Sequence, residues 1–349
     1  MMRDKLFFAS DYMEGAHPAI LARLSEENLG KHPGYGTDEL CRSARERIRA
    51  ACGAPDAGVF FLVGGTQTNA TVIRALLRPW QGVIATDAGH ISTHEAGAIE
   101  LGGHKVLALP HRNGKLTAED VRQCCAAHWG DGNRDHMVEP GMVYLSQPTE
   151  YGTLYSLAEL TAIRDVCQAY GIPLYADGAR LAYALACPEN DVTLADLARL
   201  CDVFYIGGTK CGALMGEAVV AADPARLPRF FTVMKQQGAL LAKGWLLGLQ
   251  FDALFADGLY ERIGRTAIQG AERMRTIFRE AGYTLGMDSP TNQVFVVLEN
   301  GAMDRLAEQV EFSFFEPYDE TRTVIRLATD WATDPEDVER LREILRDFR

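Results

Sequence analysis

Leu174-Tyr175-Ala176-Asp177-Gly178-Ala179-Arg180 and Phe204-Tyr205-Ile206-Gly207-Gly208-Thr209-Lys210 decide the fold. Each is an apolar, aromatic-containing run that gives way to a charged residue. A continuously hydrophobic run, rather than an alternating one, is what a strand covered on both faces requires. Ligands of open α/β sheets gather outside the carboxyl ends of such strands. The two runs would therefore bring a carboxylate and a lysine to one place. A pyridoxal phosphate (PLP) site needs that pair. The lysine forms a Schiff base with the cofactor, and the carboxylate keeps the pyridinium nitrogen protonated so that the ring can accept electrons.

Working outward, buried strands are expected at Val59–Val63, Val83–Ala85, Val106–Leu109, Met142–Leu145, Pro173–Ala176, Val203–Ile206 and Ala218–Ala221. Helical patterns separate them. The clearest opens at Ser156, carries Glu159 as the second half of a capping box, and stops at Gly171. Strands alternating with helices imply a mostly parallel central sheet in a three-layer large domain. From about Arg229 long helical patterns run to Gly282. Two more strands follow, Val294–Leu298 and Val324–Ala328, and then a last helix with Thr333 and Glu336 as a capping box. The expected division is 1–255 for the N-terminal segment and large α/β domain, and 256–349 for a smaller C-terminal α+β domain.

Composition limits the partners. The 349 residues are 47% hydrophobic, enough for a full core and a second domain. The net charge is −12 and no Lys/Arg block appears, which argues against nucleic acid or an anionic membrane. After Met1-Met2-Arg3-Asp4-Lys5 only a four-residue apolar run precedes Asp11, too short for a signal-peptide core. None of the eight cysteines forms a CxxC pair, so reduced, packed thiols in a cytoplasmic protein are expected and no metal site.

Single residues carry weaker signals. Gly64-Gly65-Thr66-Gln67-Thr68-Asn69 follows a strand and opens a helix, an arrangement that binds phosphate or serves as an ordinary turn. Asp177 either meets a pyridinium or caps the next helix. Lys210, hemmed by glycines, suits Schiff-base chemistry; the P-loop pattern is absent. His90 follows a strand and either stacks on a cofactor or packs structurally. His136, in a polar stretch, reads as exposed on its own. Arg180 and Arg326 suit a bidentate grip on a carboxylate, and Arg326 lies in an apolar run where an idle charge would be costly.

With these residues in view the chain resembles the L-threonine aldolases, within the fold-type I, aminotransferase-like PLP enzymes of the β-eliminating-lyase group. The markers are Ala9-Ser10-Asp11, Tyr35-Gly36-Thr37-Asp38, Gly65-Thr66-Gln67-Thr68-Asn69, Gly89-His90 with Glu95-Ala96-Gly97-Ala98, Gly114-Lys115-Leu116-Thr117, Gln147-Pro148-Thr149-Glu150, Asp177–Ala182, Gly207–Lys210 and Val324–Leu327. They span most of the chain in order. The resemblance implies that Lys210 binds the cofactor covalently and that Asp177 pairs with its ring nitrogen. It implies that Gly65, Thr66 and Gln67 hold the phosphate and that His90 stacks on the ring. Ser10, Arg180 and Arg326 would grip the substrate carboxylate, Arg180 also lying against the cofactor. His136 would sit near the substrate β-hydroxyl, and Tyr35 would reach a neighbouring subunit's site. It further implies a homotetramer, a dimer of dimers with shared sites.

Three departures stand out. Cys211 replaces a frequent Asn, Ile99 a frequent Pro, and Gly244-Trp245 a pattern that often carries Arg, leaving Lys243 to reach a neighbour's phosphate. The expected activity is cleavage of an L-β-hydroxy-α-amino acid (threonine, allo-threonine or a phenylserine-like analogue) to glycine and an aldehyde. The rivals are β-elimination or transamination on the same scaffold, and a non-catalytic member of the fold.

Overall fold

The computed structural model describes residues 5–346; Met1–Asp4, the start of the N-terminal run, lie outside them. Its strands are β1 (Leu6–Phe7), β2 (Gly58–Leu62), β3 (Gln81–Thr86), β4 (Val106–Leu109), β5 (Glu139–Ser146), β6 (Leu174–Asp177), β7 (Val203–Gly207), β8 (Glu217–Ala221), β9 (Thr284–Leu285), β10 (Gln293–Glu299), β11 (Val310–Glu311), β12 (Ser313–Pro317) and β13 (Arg322–Ala328). The large sheet runs β2-β8-β7-β6-β5-β3-β4. Only β8 is antiparallel to its neighbours, so the sheet is mostly parallel, as its unbroken apolar strands require.

Alternate residues of each strand feed two cores. Val143, Leu145, Leu174, Ala176, Phe204 and Ile206 face one layer of helices. Met142, Tyr144, Tyr175, Val203 and Tyr205 face the other. The helix Leu157–Tyr170 has the Ser156/Glu159 capping box in place and ends on Gly171 in the left-handed region.

A four-stranded antiparallel sheet, β12-β13-β10-β9, forms the second layer system. The sequence suggests two strands here. β9 is only two residues long, and β12 is half-exposed and ends in proline, so neither leaves a continuous apolar run. The last helix also starts differently. Asp334 Oδ1 accepts from Glu336 N, whereas the Thr333 hydroxyl turns back to Asp330. Leu6 and Phe8 pack into the C-terminal core, because β1 pairs with β11. The helix Leu259–Glu280 begins against a core of the seven-stranded sheet at Ile263 and ends in the core beside the four-stranded sheet at Phe278. No described helix is long and apolar enough to cross a membrane.

Candidate active site

β6 is the middle strand of the seven, and Asp177 is its last residue. Asp177 is buried. One oxygen accepts from Tyr144 OH at 2.7 Å and Asn69 Nδ2 at 3.0 Å, the other from Ala179 N at 2.9 Å. It caps no helix, since the next one begins at Leu181. Burial alone would raise its pKa. Its electrostatic interaction with His90 and the hydrogen bonds from Asn69 and Tyr144 outweigh burial and hold it below the usual value. A buried, ionised carboxylate facing a cavity calls for a cationic N–H partner.

Lys210 follows β7 through Gly208 and Thr209. Burial and the charge of Arg180 lower its pKa, and its amine makes no hydrogen bond or ion pair among the described residues, so it is available for covalent chemistry. Beside it Glu217, the first residue of β8, accepts from Gly208 N at 3.1 Å. Burial lifts that carboxyl to about 8. Lys210 and Glu217 thus both shift toward their neutral forms.

Lys210 and Asp177 line an inner cavity of about 250 Å³ together with Gly65 and Thr66. These open the twelve-residue helix Gly65–Leu76, whose N-cap, Gly64, offers no side chain to its first-turn N–H groups. Unpaired donors at a helix N-terminus favour a phosphate. Free lysine, buried carboxylate and phosphate cradle in one cavity fit PLP. An outer cavity of about 680 Å³ shares Tyr12, His90, Glu150, Arg180 and Lys210 with the inner one and adds His94, His111 and Arg326.

The other expected residues fall unevenly. His90 lines both cavities and its Nδ1 lies 2.7 Å from Glu95 Oε1. Gln67 folds back so that its Oε1 accepts from Val63 N at 3.3 Å. Ser10 is buried between Ala9 and Asp11, which meet the two arginines. Arg180 differs from expectation. Its Nε and a terminal nitrogen are engaged with both oxygens of buried Asp11, at 2.6 and 3.0 Å, because a buried carboxylate needs a partner. Arg326 is less committed: its nearest acceptor is Gln293 Oε1 at 3.3 Å, and its buried Nε has no partner among the described residues.

His136 also differs. It is exposed on the turn Arg134–His136, just before β5, whereas Ser146 at the other end of β5 lines the inner cavity. Eight residues of strand span roughly 25 Å, so His136 cannot serve its own chain's cavity. Tyr35 and Lys243 lie together elsewhere: Tyr35 N donates to Ala242 O at 3.0 Å, and Lys235 sits over the Tyr35 ring.

Glu217, Asn69, Tyr144 and Asp11 were not singled out from the sequence. Glu217 did carry a signal: it is a charge at the head of an apolar strand run.

This fold and this cavity define a fold-type I PLP-dependent lyase. The chain belongs to the beta-eliminating lyase family, which it matches over residues 8–300. It is 31% identical to the low specificity L-threonine aldolase of Pseudomonas aeruginosa over 347 residues, 98% of this chain and 96% of that one. The solved threonine aldolase of Leishmania major superimposes with a TM-score of 0.95 at 43% identity, covering 98% of this chain and 99% of that one. A Thermus thermophilus aspartate aminotransferase shares the fold alone, with a TM-score of 0.72 at 15% identity, covering 99% of this chain and 92% of that one.

Proposed function

We propose that this chain is an aldolase that cleaves L-β-hydroxy-α-amino acids to glycine and an aldehyde. The observation that carries the reading is the pKa-lowered Lys210, without a hydrogen bond or ion pair among the described residues, in one cavity with buried Asp177, in a chain similar along its whole length to threonine aldolases. When bound, PLP supplies an electron sink for the pair released as the Cα–Cβ bond breaks. Lys210 would hold it covalently, Asp177 would pair with its ring nitrogen, His90 would line its pocket, and Gly65, Thr66 and the backbone of Gln67 would hold its phosphate.

Arg326, held only by long hydrogen bonds to Gln293 Oε1 at 3.3 Å and to Ser313 Oγ and Ala9 O at 3.5 Å, binds the substrate carboxylate. Arg180, fixed by Asp11, adds positive charge beside it and a wall to both cavities. The β-hydroxyl proton passes to an imidazole of the outer cavity. Partial burial, the His90 ring beside it and the charges of Arg326 and Arg180 lower the His94 pKa, so that ring is neutral and able to accept at neutral pH. His136 contributes only from a neighbouring copy.

The finer placement is part of the same proposal: a cytoplasmic homotetramer in which Tyr35 and Lys243 complete a neighbour's site. Eight free cysteines support the reducing compartment. Position supports the shared site, since both residues lie away from their own chain's cavity.

The test is product identity. PLP-loaded protein given L-threonine, L-allo-threonine or phenylserine should release glycine and a trappable aldehyde, and Lys210→Ala should release none. Ammonia with the matching 2-oxo acid instead (2-oxobutanoate from either threonine, phenylpyruvate from phenylserine) would make the enzyme an eliminase and overturn the reading.

A further inference from the structure

Asn69 is fully buried in the helix Gly65–Leu76, and chemistry fixes the orientation of its amide. Its Nδ2 lies 2.7 Å from Glu95 Oε1 and 3.0 Å from Asp177 Oδ2. Ionised carboxylates only accept, so the NH2 group faces both and gives each one hydrogen. Tyr175 OH donates to Oδ1 at 2.8 Å, which the carbonyl end alone can receive. Every hydrogen-bonding direction of this amide is thereby used except one lone pair.

Glu95 Oε1 also meets His90 Nδ1 at 2.7 Å. By the same argument Nδ1 carries the proton, and Nε2 keeps a free lone pair on a ring that lines both cavities. The Glu95 side chain has no exposed surface, and its second oxygen has no partner among the described residues. Its hydrogen bonds are therefore confined to His90 and Asn69. A buried network of this kind rigidifies its members, and deleting one strands the others.

We propose that Glu95 and Asn69 are positioning residues: Glu95 holds His90 as the Nδ1–H tautomer, and Asn69 ties that pair to Asp177. The imidazole and the carboxylate that face the cofactor are then oriented as one unit. This rests on the assignment of His90 and Asp177 as cofactor contacts. Neither Glu95 nor Asn69 lines the inner or the outer cavity, so each acts through its partner.

The test is the ring-nitrogen NMR spectrum of the holoenzyme carrying 15N-histidine, with His90 assigned by comparison with His90→Asn. The wild type should show His90 protonated on Nδ1. Glu95→Ala should lose that preference and lower turnover roughly 10- to 100-fold, as partners that orient histidines at metal sites do. Glu95→Gln should restore the tautomer, because an amide oxygen in the place of Oε1 accepts both bonds. Asn69→Ala should keep the tautomer yet shift the visible absorbance of the bound cofactor through Asp177; it also serves if Glu95→Ala does not fold. A wild-type His90 protonated on Nε2, a tautomer unmoved in Glu95→Ala, or an unchanged band in Asn69→Ala overturns the proposal. The spectra are read without substrate, so they decide it whether or not the wild type releases aldehyde.

Discussion

Glu217 enters the inner cavity on the first residue of β8, with no cation within ion-pair distance among the described residues. Burial, opposed only in part by Lys210 and the Gly208 N–H, raises its pKa from 4.5 to about 8. The folded chain then keeps a proton that the unfolded chain loses, so its contribution to stability falls as pH rises between those values and is constant above them. Glu217→Gln has no proton to keep. Its urea midpoint without cofactor should therefore gain on the wild type between about pH 5 and about pH 8. A difference between the two midpoints that stays constant over that range would mean that Glu217 is ionised in the fold. Lys210 and Asp177 were legible in sequence because each ends an apolar run. Asp11 and Asn69 were not, although both lie in quoted motifs, because their roles depend on partners 169 and 108 residues away. No local pattern encodes a hydrogen bond of that span.

At the level of elements, two glycines set how closely the decisive strands approach. Gly207 N donates to Gly178 O at 2.9 Å. A methyl group on Gly207 would run into the carbonyl of Ala179, and one on Gly178 into that of Tyr205. The loops that carry Asp177 and Lys210 are therefore packed backbone to backbone. Gly207→Ala should cost about 1–3 kcal/mol of stability, the usual range for overpacking, and weaken retention of the cofactor by moving Lys210. A urea midpoint and a visible cofactor band both equal to wild type would refute that account. The same contrast explains which elements could be read in advance. The buried strands of the large sheet announce themselves by unbroken apolar runs, as Val203–Gly207 does. β12 packs one face and exposes Phe314 on the other, so its pattern resembles a loop.

On the scale of the whole molecule, the site residues fall into two groups that one chain does not bring together. Lys210, Asp177, His90 and Arg326 converge on the cavities between the large and small sheets. Tyr35 is half-exposed with a left-handed backbone, held to Ala242 beside exposed Lys243, and lines neither cavity. The backbone there is tightly built: a Cβ on Gly244 would meet Gly36 N at 2.5 Å. A fixed, exposed tyrosine and lysine with no role in their own chain's cavity suit a surface that a second copy covers. Sequence reading cannot separate the groups, since proximity along the chain says nothing about which subunit a side chain serves. Subunit mixing can. Tyr35→Ala chains should have low aldolase activity and Lys210→Ala chains none. Produced together, they should regain activity, because a mixed assembly pairs an intact Lys210 from one chain with an intact Tyr35 from the other. Full activity in Tyr35→Ala alone, or no recovery on mixing, would mean that each chain builds its site unaided.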